Sequence, residues 1–218
     1  MDTADVSNFV WTDTPRSSMK SPSETTLTAE KRKFPPNERT LLQSLPLALP
    51  LLAHLPSPAI LDPCAGNGTL LRALAHATGG CGVYAGVQCS WTKRPKTWWC
   101  EDVPFLAWDA RGMEWDLIAS CPPYNHALAI VLKSLDMLAD GGILLMLMRL
   151  NFLASRKRWM MLHSVCPPTD VFLLPVRPKF QNGTTDSTEM AWFRWQKGIL
   201  FPNCKKPIPY TARRELPG

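Results

Sequence analysis

The chain has 218 residues, 45% of them apolar and 19% charged, a balance that sustains a packed core and excludes wholesale disorder. Lys and Arg number 24 against 18 Asp and Glu, a formal net charge of +6 that points weakly to a polyanionic partner. The longest apolar stretch, Leu41 to Leu55, is broken by Gln43, Pro46, Pro50 and His54 and is too short to cross a bilayer, so no membrane partner is expected.

Residues 1–33 are rich in Ser, Thr, Asp and Pro without periodicity and read as a flexible N-terminal arm. Asp2 and Asp5 stand where a secretory leader would carry basic residues, and no apolar run follows them. Seven cysteines are scattered with no CxxC pair, so neither a disulfide framework nor a metal site is expected. These features together predict an intracellular protein, cytoplasmic or nuclear.

Phe34-Pro35-Pro36-Asn37-Glu38 marks a turn into an apolar segment, read as helical from Asn37 until Pro46 or Pro50. Ala59-Ile60-Leu61 is a short buried strand, followed by the glycine-bearing turn Asp62 to Gly68. A helix over Thr69 to Ala77 carries Leu70, Leu71 and Leu74 on one face and stops at Gly79-Gly80. Further strands are predicted at Val83–Val87, Thr97–Cys100 and Asp116–Ser120. Leu128, Val131, Leu132, Leu135, Leu138 and Ala139 recur at helical spacing, with Gly141-Gly142 as the stop.

Ile143–Met148 is apolar throughout, as a strand covered on both faces should be. Ser155 is placed as the cap of a short helix through His163, and Asp170–Leu174 and Met190–Trp195 close the pattern as strands flanking the polar loop Gln181–Glu189. Alternating strands and helices predict a doubly wound α/β sheet. The domain is set at residues 34–200, with 201–218 as a basic tail.

Charge is unevenly distributed along this pattern. Residues 1–39 are neutral and residues 40–148 carry −2, so residues 149–218 hold +8. Arg149, Arg177 and Lys179 lie among apolar segments of that last third and are read as contacts to nucleic acid.

Two motifs carry chemistry. Asp62-Pro63-Cys64-Ala65-Gly66-Asn67-Gly68 joins a strand to a helix, where glycines admit close approach of a ligand to the backbone. Its spacing is neither GxGxxG nor a phosphate loop, and the Asp62 carboxylate suits an ammonium better than a phosphate. A purely structural turn is the alternative. Cys121-Pro122-Pro123-Tyr124 follows another strand. Its prolines fix φ twice and leave carbonyls in place beside a tyrosine ring, an arrangement able to grip a planar amine-bearing ring, with a plain turn or a proline-rich ligand as the alternative when the tetrapeptide is taken alone.

Taken together, about 60 residues apart and in this order, the two motifs resemble those of S-adenosylmethionine-dependent amino-methyltransferases, in particular small phage-type DNA adenine-N6 methyltransferases. DPCAGNG is similar to the family's cofactor motif and CPPY to its catalytic [DNS]PP[YFW] motif. Phe34-Pro35-Pro36 resembles the Thr-Pro element ahead of the cofactor motif. Arg177-Pro178-Lys179-Phe180 with Ala191-Trp192-Phe193 looks like the closing hairpin of the phage-type members.

The resemblance covers roughly residues 34–198. It implies a Rossmann-like class I fold with a mostly parallel seven-stranded sheet and helices on both faces. It also implies S-adenosylmethionine as cofactor, cradled by Phe34, Pro63, Gly66 and Gly68 with Asp62 near its ammonium. Asp102, with Asp109 as rival, would meet the cofactor adenine and Phe105 would pack nearby. The implied partner is nucleic acid, DNA before RNA. A protein partner or a second copy of the chain is a further expectation.

Two positions depart from that family's pattern. Cys121 stands where Asp, Asn or Ser is usual, and a thiol is a weak acceptor. Gln88 stands where an acidic residue usually holds the cofactor ribose. A weak or silent methyltransferase kept for binding is therefore the alternative function. A methyltransferase acting on RNA or on a protein glutamine amide is a further one.

Overall fold

A computed structural model describes residues 45, 57–90, 95–155, 158, 166–175, 177 and 188–198. The expected arm over 1–33, the tail over 201–218, Phe34, Lys179 and nearly all of the expected helices at 37–46 and 155–163 lie outside them.

Seven strands form one sheet: β1 (Ala59–Asp62), β2 (Val83–Val87), β3 (Trp99–Glu101), β4 (Trp115–Ser120), β5 (Leu138–Arg149), β6 (Asp170–Leu173) and β7 (Met190–Gln196). Their spatial order is β3-β2-β1-β4-β5-β7-β6. The first five pair in parallel, while β7 inserts antiparallel between β5 and β6. Chain order reverses between β1 and β4, which creates a switch point at their carboxyl ends. Helix α1 (Thr69–Ala77) follows β1, and helix α2 (Ala127–Asp136) follows β4.

Successive strand residues face opposite sides of the sheet and so build two cores. Ile60, Tyr84, Leu117, Leu145, Leu147 and Trp192 form one, closed by Leu70, Leu71 and Leu74 of α1. Leu61, Ala85, Ile118, Leu144, Met146 and Phe193 form the other, closed by Ile130 and Val131 of α2. Each buried leucine stabilises the fold by about 1.5–3 kcal/mol. Helices therefore cover both faces, as expected from the sequence.

Helix α1 runs over the predicted residues. Its end matches too, with Gly79 at φ 65° and Gly80 at φ 76° turning the chain away. The end of α2 is a correction. The helix stops at Asp136 rather than at Ala139, and Leu138 enters β5 opposite Trp115. Leu138 is fully buried in the sheet, so tertiary packing overrides its helical spacing.

Gly141 and Gly142 then lie inside β5, at an irregularity in its pairing with β4. Gly141 has φ 77°, and a Cβ on Gly142 would sit 2.7 Å from the Ala139 carbonyl oxygen and 2.9 Å from that of Trp115. Glycine is required there by a bulge, not by a helix terminus. Strand β3 is also shifted, from Thr97–Cys100 to Trp99–Glu101, by its pairing with Ala85, Gly86 and Val87.

Candidate functional site

Asp62 ends β1 at the switch point and is 2% exposed. Its Oδ1 accepts hydrogen bonds from Ser120 Oγ at 2.8 Å and from the Cys64 amide at 3.0 Å. Burial pushes the Asp62 carboxyl up to about 7, against the lowering effect of those two donors. A buried acid poised at neutrality is a candidate anchor for a cation.

The loop after Asp62 is laced onto the end of β2. Ala65 N–H donates to the Val87 carbonyl at 2.9 Å, Gly66 N–H to Gln88 at 3.1 Å, and Ser90 N–H to Gly66 at 2.7 Å. Gly66 at φ 51° and Gly68 at φ 76° occupy the left-handed region, which glycine adopts without steric cost. Gly68 is the residue from which α1 starts, so the amides of the first helical turn open toward this loop. Asn67 Oδ1 accepts from the Thr69 hydroxyl at 2.6 Å and fixes the turn. Pro63 is buried between Asp62 and the loop.

Two residues the sequence reading did not single out shape this loop. A Cβ on Gly86 would lie 2.8 Å from both Ala65 Cβ and Cys89 Sγ, so only glycine lets β2 carry the loop this close. Ser120 is the other. A polar residue, fully buried at the end of an apolar strand, must find a partner, and that rule is the signal that could have found it.

Gln88, just past β2, also holds a left-handed φ of 55°. Asp102 follows β3 and is exposed at the same end of the sheet. Phe105 is 1% exposed in the α2-side core, with Lys133 Nζ 4.9 Å from its ring centre. Lys133 also donates to the Phe105 carbonyl at 2.7 Å and to that of Trp108, which fixes the turn after β3. Asp109 accepts the Arg111 amide at 2.9 Å, a turn-forming bond.

Cys121-Pro122-Pro123-Tyr124 leaves β4 directly after Ser120. The Pro123 carbonyl accepts the His126 amide at 3.1 Å, which starts the turn into α2. Burial and the neighbouring Asp62 and Cys64 raise the Cys121 thiol well above its ordinary range. It stays protonated at neutral pH and is no nucleophile. Over the Tyr124 ring stands the Arg149 guanidinium, 4.1 Å from its centre. Arg149 is the last residue of β5, beside β4.

The fold thus gathers Asp62, Gly66, Gly68, Gln88 and Cys121 to Tyr124 at one edge, with Arg149 on Tyr124. Arg177 pairs with Glu189 at 3.1 Å on the surface, and the Glu189 carbonyl accepts the Leu150 amide next to Arg149 at 2.9 Å. Among the described residues no cluster of His, Cys, Asp or Glu could hold a metal, and no helix is long and apolar enough to cross a membrane.

No family model and no curated protein matches the sequence. Solved structures do match in fold. A candidate class I S-adenosylmethionine-dependent methyltransferase from Listeria monocytogenes aligns with 81% of this chain at 12% identity and TM-score 0.57. The methyltransferase subunit of a type I restriction-modification system from Streptococcus thermophilus aligns with 81% at 14% identity and TM-score 0.57. These alignments span 64% and 48% of the two longer proteins. A candidate RNA methyltransferase from Pyrococcus horikoshii aligns over 82% of this chain and 90% of its own length, at 12% identity and TM-score 0.52. The chain has the Rossmann-like fold of class I methyltransferases.

Proposed function

We propose that the protein transfers a methyl group from S-adenosylmethionine to an exocyclic amine of a nucleobase, with adenine N6 in DNA as the leading target. The observation that carries this reading is the bond from Ser120 to Asp62. It ties the turn suited to a cofactor directly to the tetrapeptide suited to a planar amine.

Residues at the switch point fit the cofactor. The left-handed turn at Gly66 and Gly68 admits a ligand close to the backbone, and buried Asp62 offers an ammonium its charge. Asp102 is exposed at the same edge for a hydrogen bond to an adenine amine. The bound cofactor supplies an electrophilic sulfonium methyl.

The protein's remaining task is the nucleophile. An exocyclic amine is weakly nucleophilic because its lone pair is delocalised into the ring. Tyr124 stacks on the extruded base, and the Pro122 carbonyl accepts one amine proton. That hydrogen bond draws the nitrogen toward tetrahedral geometry and localises the lone pair for in-line attack. The amine becomes cationic as it is methylated, so its proton leaves without a strong base.

Mass spectrometry of nucleosides from DNA incubated with the full chain and cofactor tests the reading. N6-methyladenine is expected. N4-methylcytosine overturns the choice of base, and the absence of any methylated nucleoside from DNA and RNA overturns the activity.

One observation favours a second reading, a nucleic-acid-binding protein with little turnover. The protonated Cys121 thiol is a poor acceptor for the second amine proton. Salt-sensitive DNA binding without methylation would support it.

A further inference from the structure

Next to Tyr124 lies a cleft of about 80 Å³, lined by Tyr124, Met148, Arg149, Asn151, Phe152 and Arg158. Each arginine in it stands over an aromatic ring. Arg149 lies 4.1 Å from the centre of Tyr124, and Arg158 lies 4.6 Å from the centre of Phe152. Stacking of this kind steadies a guanidinium while leaving its N–H edge for planar hydrogen bonding.

Arg158 carries the stronger signal. Among the described residues its Nε has no hydrogen-bond partner, and partial burial lowers the guanidinium below its ordinary range. A half-buried guanidinium in a cleft with a second one makes the cleft cationic and suits it to an anion. A cleft of about 80 Å³ accommodates a compact tetrahedral group.

We propose that this cleft seats a phosphodiester of the nucleic acid beside the target base, with Arg158 donating to a phosphate oxygen and Arg149 closing the side toward Tyr124. The proposal rests on the nucleic-acid reading above and adds Arg158, Asn151 and Phe152 to it. Because Arg149 borders both the cleft and the Tyr124 ring, the phosphate and the stacked base belong to the same or adjoining nucleotides. The contact is independent of base identity, as phosphate contacts are.

The test is fluorescence anisotropy of a labelled DNA duplex, and of RNA of matched sequence, with the full chain across a salt series. Arg158→Gln is expected to weaken binding about tenfold and to make the slope of log affinity on log salt shallower by about 0.9, the loss of one phosphate contact. Asn151→Asp, at an exposed position of the same cleft, is expected to weaken binding several-fold by adding a negative charge. Both variants should bind S-adenosylmethionine as the wild type does.

Loss confined to duplex assigns DNA as the source of the phosphate, and loss confined to RNA assigns RNA. An unchanged salt slope in Arg158→Gln overturns the proposal, even if the wild type methylates DNA. So does parallel loss of cofactor binding in Arg158→Gln while Asn151→Asp binds nucleic acid normally. A wild type that neither binds nor methylates nucleic acid brings down the proposed function as well.

Discussion

Ser120 and Asp62 are 58 residues apart in sequence and 2.8 Å apart in space, both buried at the carboxyl ends of neighbouring strands. Their bond lowers the Asp62 carboxyl while burial raises it to about 7. Cys64 and Cys121 are the other titratable groups facing this pair. Removing the hydroxyl in Ser120→Ala should raise Asp62 further and weaken cofactor binding at neutral pH. Titration calorimetry between pH 6 and pH 9, taken as a range of about one unit below and two above that value, should show affinity rising through a higher midpoint than in the wild type. A midpoint unmoved by the substitution would sink the idea.

The same carboxyl sets a stability trend. Its folded pKa exceeds the unfolded value of 3.8, so the folded state holds more protons between the two values. Its contribution to stability is therefore present at low pH and is lost as pH rises through about 7, by at most about 4 kcal/mol. Asp62→Asn should accordingly be more stable than the wild type in denaturant at alkaline pH, yet fail to bind cofactor. Equal stability of the two proteins above neutrality contradicts the assignment.

Gly86 offers a test of the loop's seat. In Gly86→Ala the new methyl would sit 2.8 Å from Ala65 Cβ and Cys89 Sγ, and the loop must lift. A cost of about 1–3 kcal/mol is expected, together with weaker cofactor binding. Chemical denaturation and calorimetry report the two effects separately. Wild-type affinity in this variant would show that the loop tolerates displacement.

Tyr124 should act through its ring. Tyr124→Ala is expected to lower kcat/KM by the stacking contribution of about 1–3 kcal/mol, whereas Tyr124→Phe keeps most activity. Steady-state kinetics on an oligonucleotide distinguish these outcomes. A large loss in the phenylalanine variant would transfer the role to the hydroxyl.

Cys121 invites a gain of function. A second carboxylate beside buried Asp62 would suffer like-charge repulsion, so Cys121→Asn is the informative substitution. Its amide oxygen accepts the second amine proton that the thiol holds poorly, and kcat should rise. An unchanged or lower kcat would show that one accepted proton suffices.

Much of the fold was legible because its elements obey simple periods. The leucines of α1 and the unbroken apolar run of β5 announce their environments directly. Leu138 was misread because its position suits a helical face as well as a strand, and only pairing with Trp115 decides between them. The edge bearing both motifs was legible because each motif follows an apolar strand. What sequence could not supply was any relation between distant side chains. Ser120 acquires its meaning only across the β1–β4 seam, and Arg149 acquires Tyr124 only when β5 aligns beside β4.

Strand β7 pairs with β5 along seven consecutive positions, from Ile143 opposite Gln196 to Arg149 opposite Met190. It is nearly all buried and supplies Trp192 to one core and Phe193 to the other. The described part of the cationic last third is therefore built into the sheet. Deleting the chain back to residue 189 would remove the strand between β5 and β6 and unseat Arg149 along with it. Arg149 and Arg194 can be retuned only one side chain at a time, because they share strands with the residues that hold the sheet together.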